Sequence, residues 1–185
     1  MRLSEPFETR RLKFRLLTMD DLASVHRQFS DQEMCRYFSE PPCTLDEAKG
    51  IIEHYQEPEG KGHLRYGLFD LATGAFIGTC GYHYWDRDRK QVEIGYDIWK
   101  HYWQQGYASE ALPVLIRLCF EHLGVDCVYV LVDPGNAASI ATVAKFGFKP
   151  CPLCRKPDVV SQICLRLMRS EWEAGQHETY SSGMK

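Results

Sequence analysis

The sequence has no long hydrophobic run, no block of like charge and no apolar start. No window of its 185 residues approaches the roughly 18 apolar residues of a membrane-spanning helix, and its first residues lack a signal-length apolar stretch. The 22 basic and 25 acidic residues give a formal charge of −3, and no five consecutive residues share one sign. We therefore expect a cytoplasmic protein whose charge gives no argument for a nucleic-acid or membrane partner.

The sequence also lacks the cysteine pattern of a disulfide framework or a zinc finger. Most of its eight cysteines lie within apolar patterns, where a free cysteine packs as a small hydrophobic residue. The exception, Cys151-Pro-Leu-Cys154, has zinc-knuckle spacing but no second Cys or Cys/His pair at finger spacing. We expect reduced cysteines and no bound metal, and a metal or redox role for Cys151 and Cys154 is the weaker alternative.

Length and composition favour a single domain. With 44% hydrophobic and 12% aromatic residues, the chain can bury one sizeable core but is short for two. No internal repeat and no linker interrupts the pattern up to Trp172. We predict one domain over residues 1–172 and a disordered tail over 173–185.

The first half of the sequence alternates between strand and helix patterns. Residues 11–17 predict a strand, and Thr18 then opens a helical pattern that continues to Phe29. Thr44-Leu-Asp-Glu47 has the form of a capping box in front of a second amphipathic helix. Three segments of period two follow, near residues 66–70, 75–85 and 92–98, and they predict an antiparallel meander.

The second half continues with helix, strand and helix patterns. Residues 108–123 have the apolar spacing of a helix of about four turns, which Gly124 ends. Residues 127–132 are a continuous apolar run, typical of a strand buried on both faces. A helix over 136–146 follows, and two last strands are predicted from 148 onward and over 159–168.

One stretch of this pattern carries chemistry, because a half-buried strand is followed by a glycine-containing turn and a helix start. The first N–H groups of a helix have no intrahelical partners and carry partial positive charge, which suits a phosphate or diphosphate. A strand-to-helix turn without any ligand is the alternative for such a pattern taken alone. We expect the backbone donors to be those of Gln104, Gln105, Gly106, Tyr107, Ala108 and Ser109.

Three separated motifs point to a known family. They are Glu8-Thr-Arg-Arg-Leu-Lys-Phe-Arg-Leu-Leu with Asp20-Asp21, the stretch from Val92 to Ala111, and Pro134-Gly-Asn136-Ala-Ala-Ser139 closing with Lys145-Phe-Gly-Phe148. In order and spacing they resemble the GNAT acetyltransferases, in particular the ribosomal-protein N-terminal (RimJ/RimL-type) branch. The resemblance covers roughly residues 5–172.

The resemblance implies an α/β (α+β) GNAT fold, with a mixed, mostly antiparallel sheet of about seven strands and about four flanking helices. The fourth and fifth strands, near 92–98 and 127–132, would splay apart and admit the pantetheine arm of acetyl-CoA as an added strand. Backbone contacts to this arm would come from Tyr96, Asp97 and Ile98. Asn136 would hydrogen-bond the arm, cap the helix that follows, or do both.

The chain departs from the family pattern at three positions. Trp103 replaces the usual polar first residue of the cofactor loop, and we expect its side chain to be packed. Leu131 and Val143 stand where members of the wider family often have an acid and a tyrosine. Neither of those two catalytic roles therefore carries over to this chain.

Few residues remain for proton transfer. Glu93 is the candidate base, and the alternative is a carboxylate that is solvated or paired with a nearby arginine. Ser139 is the candidate donor to the leaving sulfur, and the alternative is an ordinary serine in the first turn of the helix. His83 is an imidazole without an evident partner, so a surface histidine is favoured. Because no Cys is paired by sequence with a His, we expect direct transfer in a ternary complex.

The sequence does not identify the acceptor. It fits a protein N-terminal α-amine or a small-molecule amine such as a polyamine, an amino acid or an antibiotic, and a non-catalytic acetyl-CoA sensor is the alternative from another class. We expect loops 31–43, 56–64 and 149–158 to form the acceptor site. A monomer and a homodimer both remain open.

Overall fold

The computed structural model describes residues 2–38, 41–151 and 162–182. Its chain divides into two compact units, each built from two stretches of sequence. The first unit contains Met1–His83 and Gly95–Leu112, and the second contains Tyr84–Ile94 and Pro113–Lys185. One domain over residues 1–172 therefore stays a prediction from the sequence.

The first unit is organised around an antiparallel meander. Its strands are β1 (Phe7–Glu8), β2 (Leu12–Leu16), β3 (Leu64–Asp70) and β4 (Phe76–Asp86). β1 pairs with β2, β2 with β3, and β3 with β4, all antiparallel. The antiparallel pairing predicted for the segments near residues 66–70 and 75–85 is confirmed, and β1 is an additional strand of two residues.

Two helices of the first unit begin where the sequence predicts them. α1 (Leu22–Ser30) follows a short 3₁₀ turn, and α2 (Leu45–His54) follows the capping box of Thr44 and Glu47. In that box Thr44 N donates to Glu47 Oε2 at 2.7 Å, and Glu47 N donates to Thr44 Oγ1 at 3.3 Å. The two helices and the strand ends share a core of Leu17, Val25, Ala48, Ile52, Phe69 and Phe76.

The second unit contains the parallel part of the sheet. β6 (Cys127–Val132) pairs parallel with β5 (Gln91–Ile98) from Gln91↔Cys127 to Glu93↔Tyr129. Along its full length β6 also pairs antiparallel with β8 (Ile163–Met168). β7 (Lys149–Pro150) is a two-residue strand beside β8. The predicted burial of β6 is confirmed, since every residue except Leu131 is buried.

Three helices complete the fold. α3 (Tyr107–Glu121) contains Pro113, and α4 (Ala137–Ala144) starts after Asn136, as predicted. α5 (Arg169–Ser182) extends over residues 173–182 of the predicted tail, and residues 183–185 lie outside the described residues. Arg169 fixes the start of α5 by donating to the carbonyls of Phe120 and Val125, and the following Glu, Ala and Gln residues favour helix.

The strands follow the hydrogen-bonded order β1-β2-β3-β4-β5-β6-β8-β7. The mixed, mostly antiparallel sheet expected from the sequence is confirmed. The described residues form eight strands and five α-helices, where the sequence predicts about seven and about four. Among the described residues, no helix has the length and apolar character needed to cross a membrane.

Candidate active site

The turn before α3 has the left-handed backbone that its glycine allows. Gly106 has a φ of 80°, and Gln104, two residues earlier, has a φ of 59°. Glycine adopts this conformation freely, whereas for a residue with a Cβ it costs about 1–2 kcal/mol. α3 begins directly afterwards at Tyr107, so residues 104–109 form this turn and the first turn of the helix.

The start of α3 is fixed to the N-terminal segment by Glu110. Its Oε2 lies 2.7 Å from Arg11 Nε, and its Oε1 accepts from Arg11 N at 2.7 Å and from Thr9 Oγ1 at 2.6 Å. Burial alone would raise the pKa of Glu110, but these hydrogen bonds and the Arg11 charge lower it below its ordinary value. The carboxylate is therefore held ionised, with all of these donors directed at it.

Arg11 also contacts the turn itself. Its Nη1 donates to the carbonyl of Gln105 at 3.0 Å, and its guanidinium lies 4.3 Å from the ring centre of Tyr107. The hydroxyl of Tyr107 in turn donates to Asp70 Oδ2 at 3.0 Å. These contacts hold the backbone of the turn in one conformation, so its N–H groups need little reorganisation to bind an anion. Sequence analysis missed Arg11 and Glu110, because no local pattern marks a pair 99 residues apart.

Two carbonyls of the β5 segment predicted to bind the cofactor arm already accept hydrogen bonds. The carbonyl of Asp97 accepts from Nε2 of the fully buried Gln28 at 2.9 Å. The carbonyl of Ile98 accepts from Nε1 of Trp103 at 2.6 Å. A carbonyl oxygen has two lone pairs, so neither of these bonds alone prevents the carbonyl from accepting a second donor.

The environment of Trp103 differs from the prediction. The sequence predicts a packed side chain, but Trp103 is 43% exposed. Its indole is nevertheless fixed, because the N–H donates to the carbonyl of Ile98. The tryptophan thus ties the loop after β5 back to the end of that strand, and its ring faces solvent.

A largely buried ion pair lies beside the same strand. Arg65 Nη1 lies 2.8 Å from Asp97 Oδ2, and their side chains are 12% and 17% exposed. The same Nη1 donates to Oγ1 of the fully buried Thr79 at 2.7 Å. Burial would lower the pKa of Arg65, but Asp97 raises it, so the guanidinium remains charged.

His83 also differs from its prediction as a surface histidine. It is half-buried, its Nε2 lies 3.2 Å from Arg65 Nη2, and its Nδ1 lies 3.0 Å from the hydroxyl of Tyr55. The partners of this imidazole come from β3 and from the residue after α2, which sequence spacing alone does not bring together. The Nε2 nitrogen of His83 therefore faces a cation.

The cysteines of the first unit do not provide a nucleophile. Cys80 is buried, and burial raises the pKa of its thiol to about 12. Burial also raises the pKa values of the Cys35 and Cys43 thiols. These three thiols therefore stay protonated near neutral pH, which agrees with the predicted direct transfer.

Glu93, the predicted base, occupies the predicted position in β5. It is half-buried between the buried residues Val92 and Ile94, so the predicted alternation is confirmed in this part of the strand. It does not continue at Tyr96, which is half-buried like its neighbours Gly95 and Asp97. Glu93 is also the last β5 residue in the parallel register with β6, opposite Tyr129. Both strands continue beyond this pair, β5 to Ile98 and β6 to Val132.

Asn136 and Ser139 lie at the start of α4 in the second unit. Oδ1 of Asn136 accepts from Ser139 N at 3.1 Å, which confirms that Asn136 is the N-cap. The side chain of Ser139 is half-buried in the first turn.

Within the described residues, no group of three or more His, Cys, Asp or Glu side chains could hold a metal ion. Cys151 is buried, and Cys151 N donates to the carbonyl of Cys164 at 2.9 Å. Cys154 lies outside the described residues, as do residues 39–40 and 152–158 of the predicted acceptor loops and residues 159–161 of the last predicted strand.

The fold and these motifs match known proteins. The model of the acetyltransferase (GNAT) domain matches residues 11–149. The uncharacterized N-acetyltransferase YoaA of Bacillus subtilis (strain 168) is 32% identical over 147 residues, covering 77% of this chain and 81% of that protein.

Two solved structures from Vibrio cholerae have the same fold. A candidate ribosomal-protein-serine acetyltransferase is 25% identical, with a TM-score of 0.74 and coverage of 91% of this chain and 99% of that chain. A spermidine N-acetyltransferase in complex with CoA and spermine is 18% identical, with a TM-score of 0.74 and coverage of 89% and 99%. At that identity, the second structure supports the fold alone.

Proposed function

Because the chain belongs to the GNAT acetyltransferase family, we propose that it transfers the acetyl group of acetyl-CoA directly to a protein N-terminal α-amine. The observation that carries the proposal is the fixed turn of residues 104–109 at the start of α3. Arg11 and Glu110 hold this turn, and the cofactor chemistry of the family requires an anion site of this kind.

The diphosphate of acetyl-CoA is bound by the backbone N–H groups of residues 104–109. The first turn of α3 adds the positive end of its dipole, which stabilises an anion by about 0.3–1 kcal/mol at an exposed site. Arg11 adds a cation whose charge is largely offset by Glu110. The protein therefore holds the diphosphate mainly by oriented backbone donors.

The pantetheine arm lies along Tyr96, Asp97 and Ile98. Its amides pair with backbone groups of β5 in the manner of an added strand. The Ile98 carbonyl can accept from the arm with its second lone pair, because Trp103 uses only one. Asn136 donates from its amide nitrogen to the same arm while its Oδ1 caps α4.

Two side chains act on the reacting atoms. Glu93 takes the proton of the amine, and the hydroxyl of Ser139 donates a hydrogen bond to the sulfur as the carbon–sulfur bond breaks. At pH 7, deprotonation costs about 1 kcal/mol for an α-amine but about 4.6 kcal/mol for a lysine side chain. A single carboxylate on a strand is a weak base, so it suits an α-amine.

The acceptor assignment rests on the ribosomal-type motifs and on the likeness to the Vibrio cholerae ribosomal-type structure. Loops 31–43, 56–64 and 149–158 bind the acceptor. The test combines calorimetry with acetyl-CoA and a thiol-release assay over peptides with free N-termini, the same peptides blocked by acetylation, and small amines. Thiol release with the free peptides alone is the expected result.

Three other results would contradict parts of the proposal. If small amines are acetylated and none of the peptides is, the acceptor is a small-molecule amine and not a protein N-terminus. Binding of acetyl-CoA without turnover of any amine would indicate a sensor. If the protein does not bind acetyl-CoA, both the proposed cofactor site and the proposed reaction are wrong.

A further inference from the structure

A chain of hydrogen bonds in the first unit ends at the hydroxyl of Tyr55. It runs from Asp97 through Arg65 and His83 to Tyr55, with atom pairs at 2.8, 3.2 and 3.0 Å. The Arg65 end is largely buried, and Tyr55 is half-buried. The mechanism proposed above uses none of Tyr55, His83 and Arg65.

The chemistry of the guanidinium fixes the protonation of His83. Arg65 has only donors, so Nε2 of His83 must accept and cannot carry a proton. A neutral imidazole then carries its proton on Nδ1, which donates to the oxygen of Tyr55. An imidazolium would place a second N–H against the Arg65 donor, so the arrangement selects the neutral ring.

This protonation also determines what Tyr55 can do. Its oxygen accepts from His83, so its own proton is directed away from the histidine. A donor whose oxygen already accepts from a polarised N–H gives a stronger hydrogen bond than an isolated hydroxyl. Tyr55 therefore presents a donor, and the basic lone pair of His83 is not available to an amine.

The ring of Tyr55 is held in place by aromatic neighbours. His63 and His83 meet it edge to face, with ring centres at 5.4 and 5.7 Å, and His54 stacks on His63 at 4.0 Å. Burial and the neighbouring His54 lower the pKa of His63, so that ring is uncharged at neutral pH. Tyr55 also lies beside the Arg65 guanidinium, whose carbon is 5.7 Å from the centre of its ring. It precedes loop 56–64, which we assign to the acceptor.

The network lies directly against the strand assigned to the pantetheine arm. A Cβ on Gly95 would lie 3.9 Å from both Arg65 Nη2 and His83 Nε2. Because Gly95 has no side chain, its backbone faces the network one residue before Tyr96. Asp97, the anion that pairs with Arg65, belongs to the same strand segment.

We propose that Tyr55 donates a hydrogen bond to the acetyl carbonyl oxygen of the bound thioester, and that His83 is a positioning residue that orients this donor. The inference rests on the proposed function and adds a donor for the carbonyl oxygen. The proposed function has no such donor, since Glu93 takes the proton of the amine and Ser139 hydrogen-bonds the sulfur. The bond strengthens as the carbonyl oxygen becomes negative in the tetrahedral intermediate. No proton leaves Tyr55 in this step.

Kinetics test the donor role. Loss of one oxyanion donor lowers kcat by roughly 100- to 1,000-fold, so Tyr55→Phe should show this loss with little change in the acetyl-CoA dissociation constant. His83→Leu should lower kcat by a similar factor, and the double variant Tyr55→Phe/His83→Leu should lower it no further. His83→Asn should have a higher kcat than His83→Leu, because the asparagine amide can donate an N–H to Tyr55. The matched control is Tyr66→Phe, which breaks a buried hydroxyl bond to the carbonyl of Leu3 and should lower Tm but not kcat.

A second measurement needs no substrate. In the ¹⁵N-histidine spectrum of the protein alone at pH 7, the His83 signals, identified by their loss in His83→Asn, should show protonated Nδ1 and unprotonated Nε2. An Nε2–H ring or an imidazolium would overturn the proposal. If the wild type is active and Tyr55→Phe has the same kcat, the donor role alone is overturned. If the wild type is inactive, the proposed function is overturned and the donor role with it.

Discussion

Arg11 and Glu110 are joined by two hydrogen bonds, one from the backbone N–H of Arg11 and one from its Nε, each at 2.7 Å. The pair connects the residue before β2 to the first turn of α3. Through Nη1, Arg11 also reaches the carbonyl of Gln105 in the turn that we assign to the diphosphate. Stability and cofactor binding should therefore depend on the same carboxylate.

Replacing this carboxylate by an amide should weaken both properties. Glu110→Gln keeps the size of the side chain but loses hydrogen bonds to a charged group, which contribute about 1.5–3 kcal/mol each. We expect a lower Tm and a higher acetyl-CoA dissociation constant, by roughly fivefold if about 1 kcal/mol of binding is lost. Thermal melting and calorimetry measure the two effects.

The stability part of this effect should disappear in acid. The pKa of Glu110 is lower in the folded protein than in the unfolded chain, so its contribution is complete above the unfolded value of about 4.3. It is lost as the pH falls through the lower folded pKa, and the wild type should approach Glu110→Gln there. The control is Asp21→Asn, which breaks the paired bonds from Arg15 at 2.7 and 2.8 Å and should leave acetyl-CoA affinity unchanged.

The backbone of the turn can be tested with two glycines. Gly106 and Gly124 have φ values of 80° and 69°, so alanine should cost each position about 1–2 kcal/mol of stability. A Cβ on Gly106 would lie 3.5 Å from Arg11 Nη2, whereas none of the atoms surrounding Gly124 lies within 4 Å of its added Cβ. Only Gly106→Ala should raise the acetyl-CoA dissociation constant, and equal affinities in the two variants would argue against the turn as the diphosphate site.

The role of Glu93 should appear in the pH dependence of turnover. Without its carboxylate, the reaction depends on the fraction of amine that is already neutral, which grows with pH. Glu93→Gln should therefore lower kcat most at low pH and much less at high pH, with little change in acetyl-CoA affinity. A pH–rate profile measured with a saturating peptide checks this, and a profile parallel to that of the wild type would dismiss Glu93 as the base.

Local patterns predicted most of the fold because each rests on a short-range physical rule. The capping box of Thr44 and Glu47, the alternation around Glu93 and the N-cap of Asn136 all depend on residues within four positions of one another. The same rules failed for β1, whose two residues are too few to show a period. They also failed for α5, where contacts from Arg169 determine the start of the helix.

The parts of the site that sequence missed are held by long-range contacts. The sequence predicts a surface position for His83, because its partners, Tyr55 and Arg65, lie 28 and 18 positions away along the chain. Trp103 is a different case, because the bond from its indole to Ile98, five positions away, fixes the side chain without burying it. The contact between Arg65 and His83 follows from the register of β3 and β4, which the sequence alone does not give.

Asn136 offers a way to separate a helix cap from a cofactor contact. Serine caps a helix about as well as asparagine, whereas alanine costs about 0.5–2 kcal/mol at this position. Asn136→Ser should therefore keep the wild-type Tm, but it lacks the amide nitrogen assigned to the pantetheine arm. We expect the serine variant to bind acetyl-CoA more weakly than the wild type, and the alanine variant to lose both affinity and stability. If the serine variant binds acetyl-CoA as the wild type does, Asn136 is only the N-cap of α4.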